Sequence, residues 1–209
     1  MTIGAAFKLI VAFPAIVSSL SIVVGAVVGS IATVSLTTIA AILAIIESFA
    51  MAPIRALTRA DHCELLAIYG DAVSSQAPGP YGDRQVAAWL SQVGAPGPLA
   101  AALSQGSGLA SCSESGEIEA FAVMEPADRL SLLYCRGRSA RQGHASRLLD
   151  RLEALASSQG LGQLRTEASQ LSLPLLRRRG WRVAWVEGLL IDGILFRRYR
   201  MTKSLPTVS

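Results

Sequence analysis

Leu132-Leu133-Tyr134-Cys135-Arg136-Gly137-Arg138-Ser139-Ala140-Arg141-Gln142-Gly143-His144-Ala145 starts as an apolar strand and ends in a basic loop of small residues. The loop runs directly into the N-terminus of an amphipathic helix. That order builds an anion site: the first turn of a helix has unpaired N–H groups and the positive end of its dipole. The amides of the preceding turn add a nest. Small side chains let a pyrophosphate-sized anion reach the backbone, and Arg136, Arg138, Arg141 and Arg147 surround it with positive charge.

Outward from this stretch, Leu148, Leu149, Leu152, Leu155 and Ala156 recur at helical spacing. Gln159-Gly160 supplies a C-terminal stop. A short strand is expected over Leu164 to Ala168, then Ser169, a short helix around Pro174 to Arg179, and Gly180-Trp181. Asp192-Gly193 between apolar runs signals a two-residue hairpin turn. The last strand would then carry Phe196-Arg197-Arg198-Tyr199-Arg200-Met201-Thr202-Lys203.

Towards the N-terminus, Ile54-Arg55-Ala56 reads as a first strand, and Thr58 and Asp61 have the spacing of a capping box with Asp in place of Glu. Leu65, Leu66, Ile68 and Tyr69 continue that helix, and Tyr81 to Trp89 reads as a second one. Leu109 to Ser113, Ile118 to Met124 and Leu130 to Cys135 read as antiparallel strands, with turns at Ser115-Gly116 and Pro126-Ala127-Asp128. The Ala/Gly/Pro/Ser-rich stretch from Val93 to Gly108 reads as a loop.

This ordered series resembles the GNAT N-acyltransferase superfamily, small bacterial type, across roughly Met51 to Leu205. The family's pyrophosphate loop reads Q/R-x-x-G-x-G/A. Gly143-His144-Ala145 matches its second half, while Ala140 stands at the first position with Arg141 as its neighbour. Glu167-Ala168-Ser169 and Pro174 to Trp181 are similar to the family's segment after its fifth strand. The resemblance implies an α/β fold with a mixed, mostly antiparallel sheet flanked by helices, and one acyltransferase domain over 51–209. In that fold the strands near Leu130–Tyr134 and Leu164–Ala168 are parallel neighbours joined by the Gly143 helix.

It also implies chemistry: direct transfer of an acetyl group from acetyl-CoA to the amine of a small molecule or peptide. The cofactor would lie against Leu133, Tyr134 and Cys135 at the strand end, and Arg136, Arg138 and Arg141 beside the loop. Gln142, Gly143, His144, Ala145 and Ser146 would meet it at the helix start, and Ser169 across the cleft. A backbone N–H of Tyr134 or Cys135 would polarise the thioester carbonyl. A carboxylate would relieve the acceptor of its proton. Glu167 is the first choice and Glu125 the second, whereas Glu119 reads as an exposed strand charge. The tyrosine that many relatives use as general acid is replaced at the matching positions by Leu175 and Leu176, which leaves Tyr134 as the candidate. Tyr69, Tyr81 and Trp89 are candidate walls of the acceptor site. Two other classes fit the same sequence: a GNAT-fold module that binds acyl-CoA without turnover, and a membrane-anchored sensor or scaffold.

Residues 1–50 are a different object. Between Lys8 and Glu47 there is no charge, and residues 9–46 far exceed the roughly 18 apolar residues of a membrane helix. They read as one or two membrane helices, or as an upstream extension if Met51 is the true start. In the first case Arg55 and Arg59 put the domain on the cytoplasmic side.

The net charge of +4 lies in the remainder, and of the chain's 19 basic residues only Lys8 and Lys203 are lysines. With no nucleic-acid motif among the arginines, an anionic cofactor is the economical partner and no nucleic acid is expected. Cys63, Cys112 and Cys135 lack metal-ligand or C-x-x-C spacing, so no metal is expected, and they suit a reducing compartment.

Overall fold

The computed structural model describes residues 53–206. Seven strands form one sheet: β1 (Ile54–Ala56), β2 (Ser107–Cys112), β3 (Ile118–Met124), β4 (Arg129–Cys135), β5 (Gln163–Ala168), β6 (Arg182–Ile191) and β7 (Ile194–Ser204). Their order is β1-β2-β3-β4-β5-β7-β6. Every pairing is antiparallel except β4–β5, which is parallel. The helices are α1 (His62–Gln76), α2 (Asp83–Leu90), α3 (Pro98–Gln105), α4 (His144–Ser158) and α5 (Leu173–Arg178). The α4 crossover is what a parallel pair requires, and it follows the ordered series expected from the sequence.

Each sheet face has its own core. Ile68 and Val73 of α1 pack with Phe121 and Leu132 on one face. On the other, Leu148, Leu149 and Leu152 of α4 pack with Leu164, Leu176 and Met201. Leu148 and Leu149 are fully buried, each worth about 1.5–3 kcal/mol in transfer alone. The stripe that predicted α4 is therefore also what fixes it over the β4–β5 junction.

The stretch 93–108, expected as a loop, contains α3. Pro98 occupies its first turn, where a missing N–H costs nothing, and Leu99 and Ala102 bury its inner face. Ala and Leu are strong helix formers, and here they outweigh the loop-like composition around them. The hairpin turn falls where expected, with both Asp192 (φ 48°) and Gly193 (φ 73°) left-handed.

The segment expected to enter a membrane, residues 9–46, lies outside the described residues. Among the described residues, no helix is long and apolar enough to cross a membrane.

The feature that positions the site is a fork. β4 and β5 pair only at Arg129↔Arg165 and Leu130↔Thr166. Thr166 Oγ1 donates to the Leu130 carbonyl at 2.7 Å, occupying an acceptor at the point of divergence. Beyond it the edges of the two strands face a cleft instead of each other.

Candidate active site

β4 leaves the fork into a 3-10 turn, Gly137–Ser139. The chain then passes through Arg141 (φ 64°) and Gly143 (φ 91°), both left-handed, before α4 begins. Among the described residues, the N–H groups of Arg141, Gly143, His144, Ala145 and Ser146 have no partner beyond the loop and the first helical turn. A side chain built on Gly143 would meet nothing within 4 Å. The cradle is thus open outward, and its donors are free for an anion.

The loop is held from behind by carboxylates. Asp71 of α1 accepts the Gly137 N–H at 2.6 Å, and Gln76 Nε2 donates to the Cys135 carbonyl at 2.7 Å. Glu119, expected as an exposed strand charge, is instead buried. It lies on β3, whose seven residues are all buried, so its charge needs partners. It takes both ends of the Arg138 fork, at 3.1 and 2.6 Å, together with the Ser139 hydroxyl. The Arg138 guanidinium holds the Glu119 carboxyl below the usual range.

Arg138 also reaches Glu117, and Arg136 binds Glu64 and the Ile118 carbonyl. These two arginines, expected beside the phosphates, give their charge to neighbouring carboxylates. Arg141 and Arg147 make no ion pair with a described residue. Arg141 and Gln142 are exposed at the loop surface.

His144 turns inward. Its Nδ1 lies 2.9 Å from Ser111 Oγ and 3.2 Å from an Arg147 nitrogen. Arg147 can only donate, so Nδ1 accepts and the ring proton sits on Nε2. Burial, with Arg147 adding to it, lowers the His144 pKa and keeps the ring neutral. The residue staples the helix start to β2, leaving its backbone N–H as its contribution to the cradle.

The fork opens into a cavity of about 260 Å³ lined from Ala145 of α4 to Phe196 of β7. Arg136 N–H donates to Glu119 on β3. Antiparallel alternation therefore points the Tyr134 amide towards β3 too, and those of Leu133 and Cys135 into the fork. Of the two amides considered from sequence, it is Cys135 that faces the cleft.

The Tyr134 ring lines the cavity and packs 4.6 Å from Tyr69, which stands behind it, and 5.7 Å from Phe121. Burial pushes its hydroxyl up to about 12. Burial also pushes the Cys135 thiol up to about 11, which keeps it protonated and a poor nucleophile. Tyr81 and Trp89 line the cavity. They form an aromatic group with Phe196, with centroids 5.2 to 5.9 Å apart.

Glu167 reaches the cavity from β5, but both of its oxygens are taken. Arg129 holds one at 2.8 Å and Arg200 the other. Ser169 lines the cavity beyond it and exchanges hydrogen bonds with Ser172 at the start of α5. Glu125 lies just past β3 and does not line the cavity; its carbonyl accepts from Ser131 Oγ at 2.6 Å.

The sequence reading missed Asp71, Gln76, Arg129, Arg198 and Arg200. Each acts across a distance of many residues along the chain, and none carries a local motif. The signal that could have found Arg198 and Arg200 is their alternation with Phe196 on one face of β7.

The description "Acetyltransferase (GNAT) domain" matches residues 78–203. No curated protein matches the sequence. Among solved structures, a GCN5-related N-acetyltransferase from Rhodopseudomonas palustris is 25% identical with a TM-score of 0.69, covering 74% of this chain and 96% of that one. A phosphinothricin acetyltransferase from Sinorhizobium meliloti, solved with AcCoA, is 17% identical with a TM-score of 0.52, covering 74% and 89%. A putative acetyltransferase from Salmonella typhimurium, solved with its cofactor acetyl-CoA, is 18% identical with a TM-score of 0.51, covering 75% and 95%. The last two show a shared fold. With the forked sheet, the left-handed loop and a match over most of the chain, the protein belongs to the GNAT acetyltransferase family.

Proposed function

We propose that the protein transfers an acetyl group from acetyl-CoA directly to the amine of a small molecule or peptide, using the domain that spans 51–209. The observation that carries this reading is the set of free amides at Arg141 and from Gly143 to Ser146, which opens beside the β4–β5 fork. The amides take the pyrophosphate, and Arg141 adds charge at the mouth. The pantetheine arm then runs along the free edge of β4, where Leu133 and Cys135 offer N–H groups.

The Cys135 N–H polarises the thioester carbonyl, a role in which a fixed donor strengthens as negative charge develops. The amine nitrogen bonds to the carbonyl carbon, the C–S bond breaks, and the amide and the CoA thiolate separate. Tyr134, at about 12, is a weaker acid than a thiol at about 8.5. It therefore supports the leaving sulfur as a hydrogen-bond donor and keeps its proton. Glu167, with a guanidinium on each oxygen, holds Arg129 and Arg200 in place, and the acceptor gives its proton to water. Ser169, lining the far wall, bounds the acceptor side.

Residues 9–46 are proposed to partition into membrane on composition alone, with the domain on the cytoplasmic side. N-terminal peptide mapping of the native protein, which finds either this segment or a start at Met51, checks that part.

The test of function is thermal denaturation of the full chain with CoA and acetyl-CoA, followed by acetylation of an amine panel. Ligand at a hundredfold its dissociation constant stabilises by about 2.7 kcal/mol. A shift with turnover of at least one amine supports the reading. A shift without turnover assigns a binding module, and no shift rejects the cofactor.

A further inference from the structure

We propose that the acceptor is a small amine that also carries a carboxylate, of amino-acid type, and that Arg198 binds the carboxylate. This rests on the acyltransferase reading above.

A chain of ion pairs crosses the cavity side of the sheet. Arg129 of β4 binds Glu167 of β5 at 2.8 Å, Glu167 binds Arg200 of β7, Arg200 binds Glu187 of β6 at 2.8 Å, and Glu187 binds Arg198 of β7 at 2.5 Å. Three guanidinium groups face two carboxylates, so one positive charge is left over. The least engaged of the three is Arg198, with one hydrogen bond against two each for Arg200 and Arg129. Arg198 lines the cavity, gives a single nitrogen to Glu187, and has its Nε buried with no partner. A guanidinium has five N–H donors, and a ligand carboxylate is the group whose geometry uses two of them at once.

The remaining lining favours an anionic over a second cationic group. Among the described residues, the single carboxylate on the cavity wall is Glu167, already neutralised from both sides. A second cationic group on the acceptor would meet no unpaired carboxylate among the described lining residues. Next to Arg198 on the same face of β7 is Phe196, which with Trp89 and Leu189 makes an apolar surface for a side chain. A cavity of about 260 Å³ that also admits the end of the pantetheine arm leaves room for a small molecule.

The test is isothermal titration of the CoA-saturated full chain with three matched series: L-leucine, L-methionine and L-phenylalanine, each with its amide and its decarboxylated amine. Direct binding makes the result independent of turnover. The expected result is that, in at least one series, the carboxylate binds about tenfold or more tighter than the amide. Arg198→Gln should bring its affinity down to that of the amide, with retained CoA binding showing that the sheet is intact. Equal affinities within every series for the wild-type chain, or tighter binding of the decarboxylated amines, overturns the proposal. Failure to bind CoA at all would instead reject the acyltransferase reading.

Discussion

Arg141 and Gly143 hold left-handed backbone on either side of Gln142, and that geometry frees the amides that follow. Glycine pays little for such a conformation and arginine more, so Arg141 occupies a strained position at the mouth of the proposed cofactor loop. Arg141→Ala should weaken CoA by about 1–3 kcal/mol, the scale of a lost hydrogen bond to a charged group, as read by calorimetry. His144 works from beneath. Its folded pKa is lowered, so its contribution to stability is complete above the unfolded value of about 6.5 and is lost as pH falls through the folded value. The melting temperature of the wild type should therefore decline between pH 7 and pH 5 more steeply than that of His144→Gln. Parallel curves would show that the buried ring does not govern this window. Gly143 was legible in the sequence because a glycine before an amphipathic helix is a local signal. The role of Glu119 was not, because its burial depends on β3 being central, and its partners Arg138 and Ser139 lie far along the chain.

At the scale of elements, the fork depends on what β4 and β5 do after Leu130 and Thr166. Periodicity found both strands and the α4 crossover, because an apolar stripe at helical spacing and alternating strands are written locally. It missed α3, where helix-forming Ala and Leu sit among Gly and Pro. It also could not show the ion pairs that join β4, β5 and β7 through Glu167, since pairing between strands depends on register. Those pairs occupy both Glu167 oxygens. Glu167→Gln should cost about 1–2 kcal/mol of stability, a buried pair discounted because Arg129 and Arg200 are about a third exposed. Its effect on the pH dependence is more telling. If Glu167 positions arginines, kcat/KM of wild type and variant should both rise with the free fraction of the acceptor amine. If it is the base, the wild type alone should keep its rate at low pH, and the variant should lose it there.

Over the whole molecule, one sheet carries two devices at the same opening: a row of backbone donors on the β4–α4 side and an excess of guanidinium on the β6–β7 side. The first was readable as Gly143-His144-Ala145 after an apolar strand. The second emerged only when β7 was placed between β5 and β6. The cofactor reading depends on the loop being an anion site and more than a helix cap, and the acceptor reading rests on it in turn. The measurement that bears on this most directly is CoA titration of Gly143→Asp, with its unliganded melting temperature as the control for fold. The added carboxylate would project into space that no protein atom fills, where a phosphate must sit, and aspartate is among the residues that tolerate left-handed backbone. The account predicts a folded protein with no detectable CoA binding. A folded variant that binds CoA with wild-type affinity would contradict it.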